Sequence, residues 1–277
     1  MSADLRVAAF AALLAVIFAT AALAGRAIDP GTGSHDAAAE EHGHAAADPA
    51  TPAGLSLVQD GLRLVAADTT LSPGRPARFA FGIVDARGAT VRAFDTEQGR
   101  RMHLIVVRRD LTGYQHLHPE QTRTGAWTTA LRLPDAGAYR AFADFRTGGR
   151  RLTLGVDLLA PGAFVPHALP APATTAHVGG YDVALHGQGA GALSFTVRRR
   201  GTPVTDLQPY LGTRGHLVVV RRGDLAYEHV HPLGGRAALG EIAFESGTTA
   251  PGSYRLFLQF RHGGRVHTVA FTREVTP

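Results

Sequence analysis

The feature that most limits what this chain can fold into is a repeat. Arg101-Met102-His103-Leu104-Ile105-Val106-Val107-Arg108-Arg109-Asp110-Leu111-Thr112-Gly113-Tyr114-Gln115-His116-Leu117-His118-Pro119 returns without a gap as Arg214 to Pro232, 113 positions later. His103, His116 and His118 have counterparts in His216, His229 and His231, while many positions around them have changed. The correspondence continues outside this stretch. Gly88-Ala89-Thr90-Val91 matches Gly201-Thr202-Pro203-Val204 at the same offset, and after a two-residue insertion Tyr139–Arg150 matches Tyr254–Arg265. Agreement across both halves is the mark of tandem duplication, so the chain carries two domains of one fold. With 277 residues and 45% hydrophobic content there is enough chain for two cores.

From Leu55 onward the hydrophobic pattern has period two and is broken by turn residues, with no helical periodicity. In the first copy the expected strands are Leu62–Ala66, Arg78–Val84, Met102–Arg108, Tyr114–His118, Trp127–Leu133, Ala138–Phe145 and Leu152–Leu158, with turns at Asp60-Gly61, Pro73-Gly74, Arg87-Gly88 and Gly148-Gly149. Short strands at this density predict an all-β protein of two tandem immunoglobulin-like β-sandwich domains, 55–160 and 180–277. Pro161, Pro166, Pro170 and Pro172 mark 161–179 as a Pro-rich linker.

Ahead of the domains, Val7 to Ala24 is apolar apart from Thr20, follows Arg6, and ends in the small-x-small run Ala22-Leu23-Ala24. Residues 1–28 are expected to be a hydrophobic helix, either a cleaved signal peptide or an uncleaved membrane anchor. Both place the remainder outside the cytoplasm, secreted or held at the membrane by its N-terminus. Residues 29–54, which include His35, His42 and His44, have no apolar periodicity and are expected to be a flexible linker.

All 28 basic residues are Arg, and the formal charge is +5. The pairs Arg108-Arg109, Arg150-Arg151 and Arg221-Arg222 fall at expected hairpin ends, the pattern of a solvated face and not of a nucleic-acid stripe. The absence of Cys removes disulfides, thiolate metal sites and Cys nucleophiles. Met102 is the only Met besides the initiator, which excludes a Met-rich Cu(I) carrier. There is no G-x-S-x-G or H-E-x-x-H, so no enzymatic activity is expected.

The histidines carry the chemistry. Alternate residues of a strand share a face, so His116 and His118 lie side by side. An antiparallel hairpin turning near 109–111 brings His103 opposite one of them, with Cβ atoms about 5 Å apart. Three imidazoles then reach one point, a donor set that suits copper or zinc. The second copy repeats the set as His216, His229 and His231. Where the first copy has Thr147 and Leu152, it has His262 and His267, so His267 is a candidate fourth ligand and the second domain the better expected site. The competing reading is a non-enzymatic cell-surface interaction module whose histidines are structural. Tyr114 and Tyr227 are expected to be core or sheet-face aromatics.

His-Leu-Ile-Val-Val, Asp-Leu and Tyr-Gln-His-Leu-His-Pro in the first copy, with Pro209-Tyr210-Leu211-Gly212 and Phe260-Arg261-His262-Gly263-Gly264-Arg265-Val266-His267 in the second, resemble exported bacterial proteins with YtkA/FixH-like immunoglobulin-type domains. The resemblance covers roughly 55–160 and 180–275. It implies the sandwich fold, an extracytoplasmic location and an association with copper or heavy-metal handling. The first copy departs from that pattern: Thr96-Glu97-Gln98-Gly99 stands where the second has Pro-Tyr-Leu-Gly.

Overall fold

The computed structural model describes residues 52–187, 191–233, 240–246 and 250–276; the expected signal or anchor and nearly all of the expected tether lie outside them. Among the described residues no helix is long and apolar enough to cross a membrane. The described residues are all-β and form two immunoglobulin-like sandwiches built alike.

The first contains β1 (Val58–Gln59), β2 (Leu62–Ala66), β3 (Pro76–Val84), β4 (His103–Arg108), β5 (Gln115–Leu117), β6 (Glu120–Gln121), β7 (Trp127–Arg132), β8 (Gly137–Thr147) and β9 (Arg150–Ala160). One sheet runs β1-β2-β3-β7-β6 and the other β5-β4-β8-β9. The orders β2-β3-β7-β6 and β5-β4-β8-β9 are the A-B-E-D and C′-C-F-G orders of an immunoglobulin sandwich. The second domain contains β10 (Thr175–Val178), β11 (Tyr181–His186), β12 (Gly191–Arg199), β13 (Thr202–Pro203), β14 (Gly215–Arg221), β15 (Tyr227–His229), β16 (His231–Pro232), β17 (Glu241–Ser246), β18 (Gly252–His262) and β19 (Arg265–Val275). Its sheets, β10-β11-β12-β17-β16 and β15-β14-β18-β19, repeat the same order.

Local chemistry explains the pattern. In β3, Phe79, Phe81 and Ile83 alternate into a core with Leu64, Leu104, Val106, Trp127 and Leu154. Trp127 meets Phe94 edge-on at 5.1 Å between centroids, and Phe94 in turn meets Phe145. Gly148-Gly149 and Gly263-Gly264 all take positive φ, as tight two-residue hairpins between twisted strands require. At the start of β8 the Tyr139 hydroxyl donates to Asp135 O at 2.8 Å, and Tyr254 does the same to Ala250 O at 2.8 Å. Each is a tyrosine corner, a closure of this sandwich class that holds the strand entering the second sheet.

At their centres, along β4, β8, β14 and β18, the β5-β4-β8-β9 and β15-β14-β18-β19 sheets are buried on both faces. Leu104 and Val106 enter the first core, whereas Ile105, Val107 and Phe142 meet Val218, Val220, Tyr227 and Phe257 in a third apolar cluster between the domains. The contacts are reciprocal between equivalent residues. Tyr114 stacks on Phe257 at 4.1 Å and 9°, and its counterpart Tyr227 packs on Phe142, the counterpart of Phe257, at 5.4 Å. Reciprocity of this kind defines a pseudo-twofold, isologous interface. Burying each of these side chains contributes roughly 1.5–3 kcal/mol, so the seam is a structural element of its own.

Two connecting segments also reach this seam. The Ala53 carbonyl accepts from Tyr227 N at 3.0 Å, Gly54 N donates to Thr153 O at 2.9 Å, and the Arg140 guanidinium donates to Gly54 O and Leu55 O. Within 161–179, Val165 O accepts from Arg108 at 3.2 Å and His167 N donates to Asp110 at 2.9 Å, while Phe164 lies under the Arg108 guanidinium. Arg108, expected on a solvated face with Arg109, is instead buried and paired with Asp110 at 2.6 Å. Strand alternation sends the two arginines to opposite sides, and only Arg109 faces solvent.

Candidate metal centre

The first hairpin places its histidines by register. Ile105 pairs with His116 and Leu104 with Leu117; continuing the register sets His103 against His118. His103 shares a face with Ile105 and Val107, the residues that meet the second domain, so the three rings gather at the rim of the seam. The His103 and His116 rings lie 5.2 Å apart, His103 and His118 5.3 Å, and His116 and His118 4.7 Å. One nitrogen from each falls within 4.8 Å of the others. His118 also lines a cleft with Arg100, Met102, Glu120, Gln121 and Trp127, which connects the cluster with solvent.

The hydrogen bonds form a chain. His103 Nε2 lies 3.2 Å from Glu97 O, His103 Nδ1 lies 3.0 Å from His116 Nε2, and His116 Nδ1 lies 2.7 Å from Gln259 Oε1 of the second domain. Gln259 also donates to Thr268 Oγ1 at 3.1 Å. Both ends of this chain are oxygen acceptors, and two neutral imidazoles supply only two N–H groups for three contacts. The count closes if one ring is cationic, if the Gln259 amide is turned, or if a metal cation replaces a proton. A cationic His116 is disfavoured: burial, reinforced by His216, His103 and His118, holds it well below the usual imidazole range. Burial, with His103 and Arg100 nearby, lowers His118 to about 4. Neutral, basic imidazole is the form that ligates a metal.

Within the donor set, the His103–His116 pair is spaced for such an ion. With metal–nitrogen bonds of about 2.0–2.1 Å, two nitrogens 3.0 Å apart subtend about 95° at the metal. That is the cis angle of a tetragonal copper site and narrower than the tetrahedral angle zinc prefers.

Among the described side chains of the second copy, His216 and His267 lie on opposite faces of their sheet. His216 is buried on the seam-facing side of β14, opposite Gln259, and its ring lies 4.5 Å from His116 and 5.8 Å from His103. The backbone of His229 pairs with Val218 in one sheet, and that of His231 pairs with Glu245 in the other; the side chains of these two lie outside the described residues. His267 pairs with Phe260, one residue out of phase with Gln259 and His216, and so projects to the opposite face of the sheet. There it packs against Phe260 and Tyr181. The expectation that His267 joins His216 as a fourth ligand is thereby corrected, because period-two alternation puts a sheet between them. His262 bonds the Tyr181 hydroxyl at 2.6 Å and Asp206 at 3.1 Å, away from the seam.

The departure at Thr96–Gly99 leaves the turn intact. Gln98-Gly99 and Leu211-Gly212 take the same positive-φ turn, and in the first copy that turn presents the carbonyl Glu97 O to His103. Gln259, and the meeting of His216 with the first-copy rings, are absent from the sequence reading. Their signal was the unbroken apolar runs Leu104–Val107 and Leu217–Val220. A sheet wet on one face alternates, so an unbroken run implies cover on both.

A family profile described as "Domain of unknown function (DUF8832)" matches residues 57–161 and again 176–277. No curated protein matches the sequence. Among solved structures, the chain is similar to the Escherichia coli adhesin FdeC, at 13% identity over 80% of this chain and 66% of that one, with a TM-score of 0.27. It is also similar to the Yersinia pseudotuberculosis adhesin InvE, at 14% identity over 78% and 59%, TM-score 0.23. A two-domain fibronectin type-III segment of chicken tenascin has 10% identity over 76% and 97%, TM-score 0.23. The chain thus spans under two thirds of either adhesin, and at these TM-scores the likenesses carry nothing about function.

Proposed function

The chain belongs to the DUF8832 family, as two of its domains in tandem, and from that premise we propose that it is an exported, non-enzymatic protein that binds a copper or zinc ion through His103, His116 and His118. The observation that carries this reading is the clustering of three imidazoles, with one nitrogen of each within 4.8 Å of the others, in surroundings that keep His116 and His118 neutral. The cleft beside His118 supplies an entry path. Export rests on the apolar stretch Val7–Ala24, which also provides the contact with a membrane if it is retained.

Calorimetric titration of the protein with Cu(II) and with Zn(II) tests this. Saturable uptake by the wild type and its loss in His116→Ala/His118→Ala are expected. Absence of uptake, or uptake unchanged in the double variant, removes the reading.

A second reading has its own observation. The His103–His116–Gln259 chain ties the domains together without any metal, as suits a cell-surface interaction module with structural histidines. That reading predicts melting indifferent to metal, whereas metal binding predicts a rise in Tm with saturating ion.

A further inference from the structure

We infer that the metal site is shared by the two domains, with His216 of the second completing the His103–His116–His118 set of the first, so that one ion clamps the seam. This rests on the metal-binding reading above and adds to it the fourth ligand and the coupling.

His103 and His216 hold the same place in the two repeats, and their rings face each other at 5.8 Å with planes 9° from parallel. Equivalent residues that meet across an isologous interface lie beside its axis. The seam therefore has an imidazole from each domain at its pseudo-dyad. His116 stands 4.5 Å from His216 and 5.2 Å from His103, which places it next to both. For imidazoles on one ion, each ring centre lies about 3.2 Å from the metal, so centres are separated by about 4.5 Å for cis ligands and up to about 6.4 Å for trans ligands. Five of the six ring pairs among the four histidines are separated by 4.5 to 5.8 Å and fall inside that range; the sixth, His118 with His216, is not among those contacts. Two of the ring pairs belong to different domains, so an ion held here bridges them.

The arrangement also explains the drift between the copies. Position 103 faces Asp144 across the sheet and position 216 faces Gln259. Asp144 accepts from Thr153 at 3.1 Å and interacts with Tyr227 of the second domain, while Gln259 reaches across the seam to His116. The duplicated rims have thus diverged, and the first hairpin faces the neutral amide.

The test uses the full chain loaded with one equivalent of Cu(II) and read by electron paramagnetic resonance for the number of equatorial nitrogens, with affinity measured by calorimetry. Four nitrogens are expected in the wild type. In His216→Ala and His216→Gln, three nitrogens and a 10- to 100-fold weaker affinity are expected, with stoichiometry still one. Three or fewer nitrogens in the wild type, which needs no variant to fold, overturns the shared site while leaving the first-domain reading intact. Unchanged nitrogen count and affinity in a folded His216 variant does the same. If the wild type takes up neither copper nor zinc, both inferences fall together.

Discussion

His103 and His216, equivalent residues of the two repeats, stack across the domain seam with ring centres 5.8 Å apart and planes 9° from parallel. The contact exists because the repeats pack through the same sheet face, so whatever evolved at one rim met its own copy. The seam is then both where the two domains pack together and where imidazoles of both collect.

Tyr114 separates the two contributions of an aromatic at that seam. Its ring stacks on Phe257, while its hydroxyl is buried with no hydrogen-bond partner among the described residues. Tyr114→Phe is expected to leave stability unchanged or raise it by up to about 1 kcal/mol, because a desolvated hydroxyl is removed. Tyr114→Ala is expected to cost about 3 kcal/mol through lost packing. Urea denaturation of both variants checks this; a Phe variant as unstable as the Ala variant contradicts it.

Gly155 governs how the segment before β1 docks. A Cβ at this position overlaps Gly54 O and comes within 2.8 Å of the Arg140 guanidinium, which itself donates to Gly54 O and Leu55 O. Gly155→Ala is therefore expected to expel Ala53–Gly54 from the seam, with a loss of about 2–4 kcal/mol. Faster proteolytic cleavage near residue 53 is the direct readout, and cleavage at the wild-type rate argues against the docking role.

Arg108 pins the interdomain segment. It is buried, paired with Asp110, and bonded to Ala136 O and Val165 O. Removing it strands Asp110, whose carboxyl is held well below the ordinary carboxylate range by Arg108, the His167 amide and Thr112 in spite of its burial. Arg108→Ala is expected to destabilise by about 3–5 kcal/mol. Replacing both partners, as in Arg108→Met/Asp110→Asn, should cost less than Arg108→Ala alone; a double variant at least as unstable as the single one would count against a charge left unpaired.

Acid should destabilise the metal-free protein. The unfolded chain protonates histidine from about pH 6.5, whereas folded His118 does so at about 4 and His116 lower than usual. Across that window the unfolded state holds more protons, so stability is fully present above 6.5 and is lost as pH falls towards 4. For half-buried His118 the loss is about 1–2 kcal/mol once solvent screening is allowed for. Denaturation midpoints between pH 7 and 4.5 should fall, and the slope should flatten in His118→Gln; a midpoint independent of pH would sink the assignment.

Much of the fold was legible residue by residue. Period two in Phe79, Phe81 and Ile83, the Gly pairs at hairpins and the 113-residue offset led to two sandwiches, and β2 begins and ends where the pattern says, at Leu62 and Ala66. Local sterics and one-sided burial act over a few residues, so they leave a readable trace. The tyrosine corners went unread because a hydroxyl bond from Tyr139 to Asp135 O leaves no periodic trace.

For the site, the division is sharper. By itself the sequence determined that His103, His116 and His118 share one hairpin, because register and alternation follow from chain geometry. It also determined that the same hairpin occurs twice. Only the tertiary structure decided that the two hairpins meet, that His216 enters the first cluster, and that His267 turns away behind its own sheet. Which face of a sheet is covered depends on how two domains dock, and that is set by apolar area distributed over the whole seam, from Ile105 and Phe142 to Val218 and Phe257.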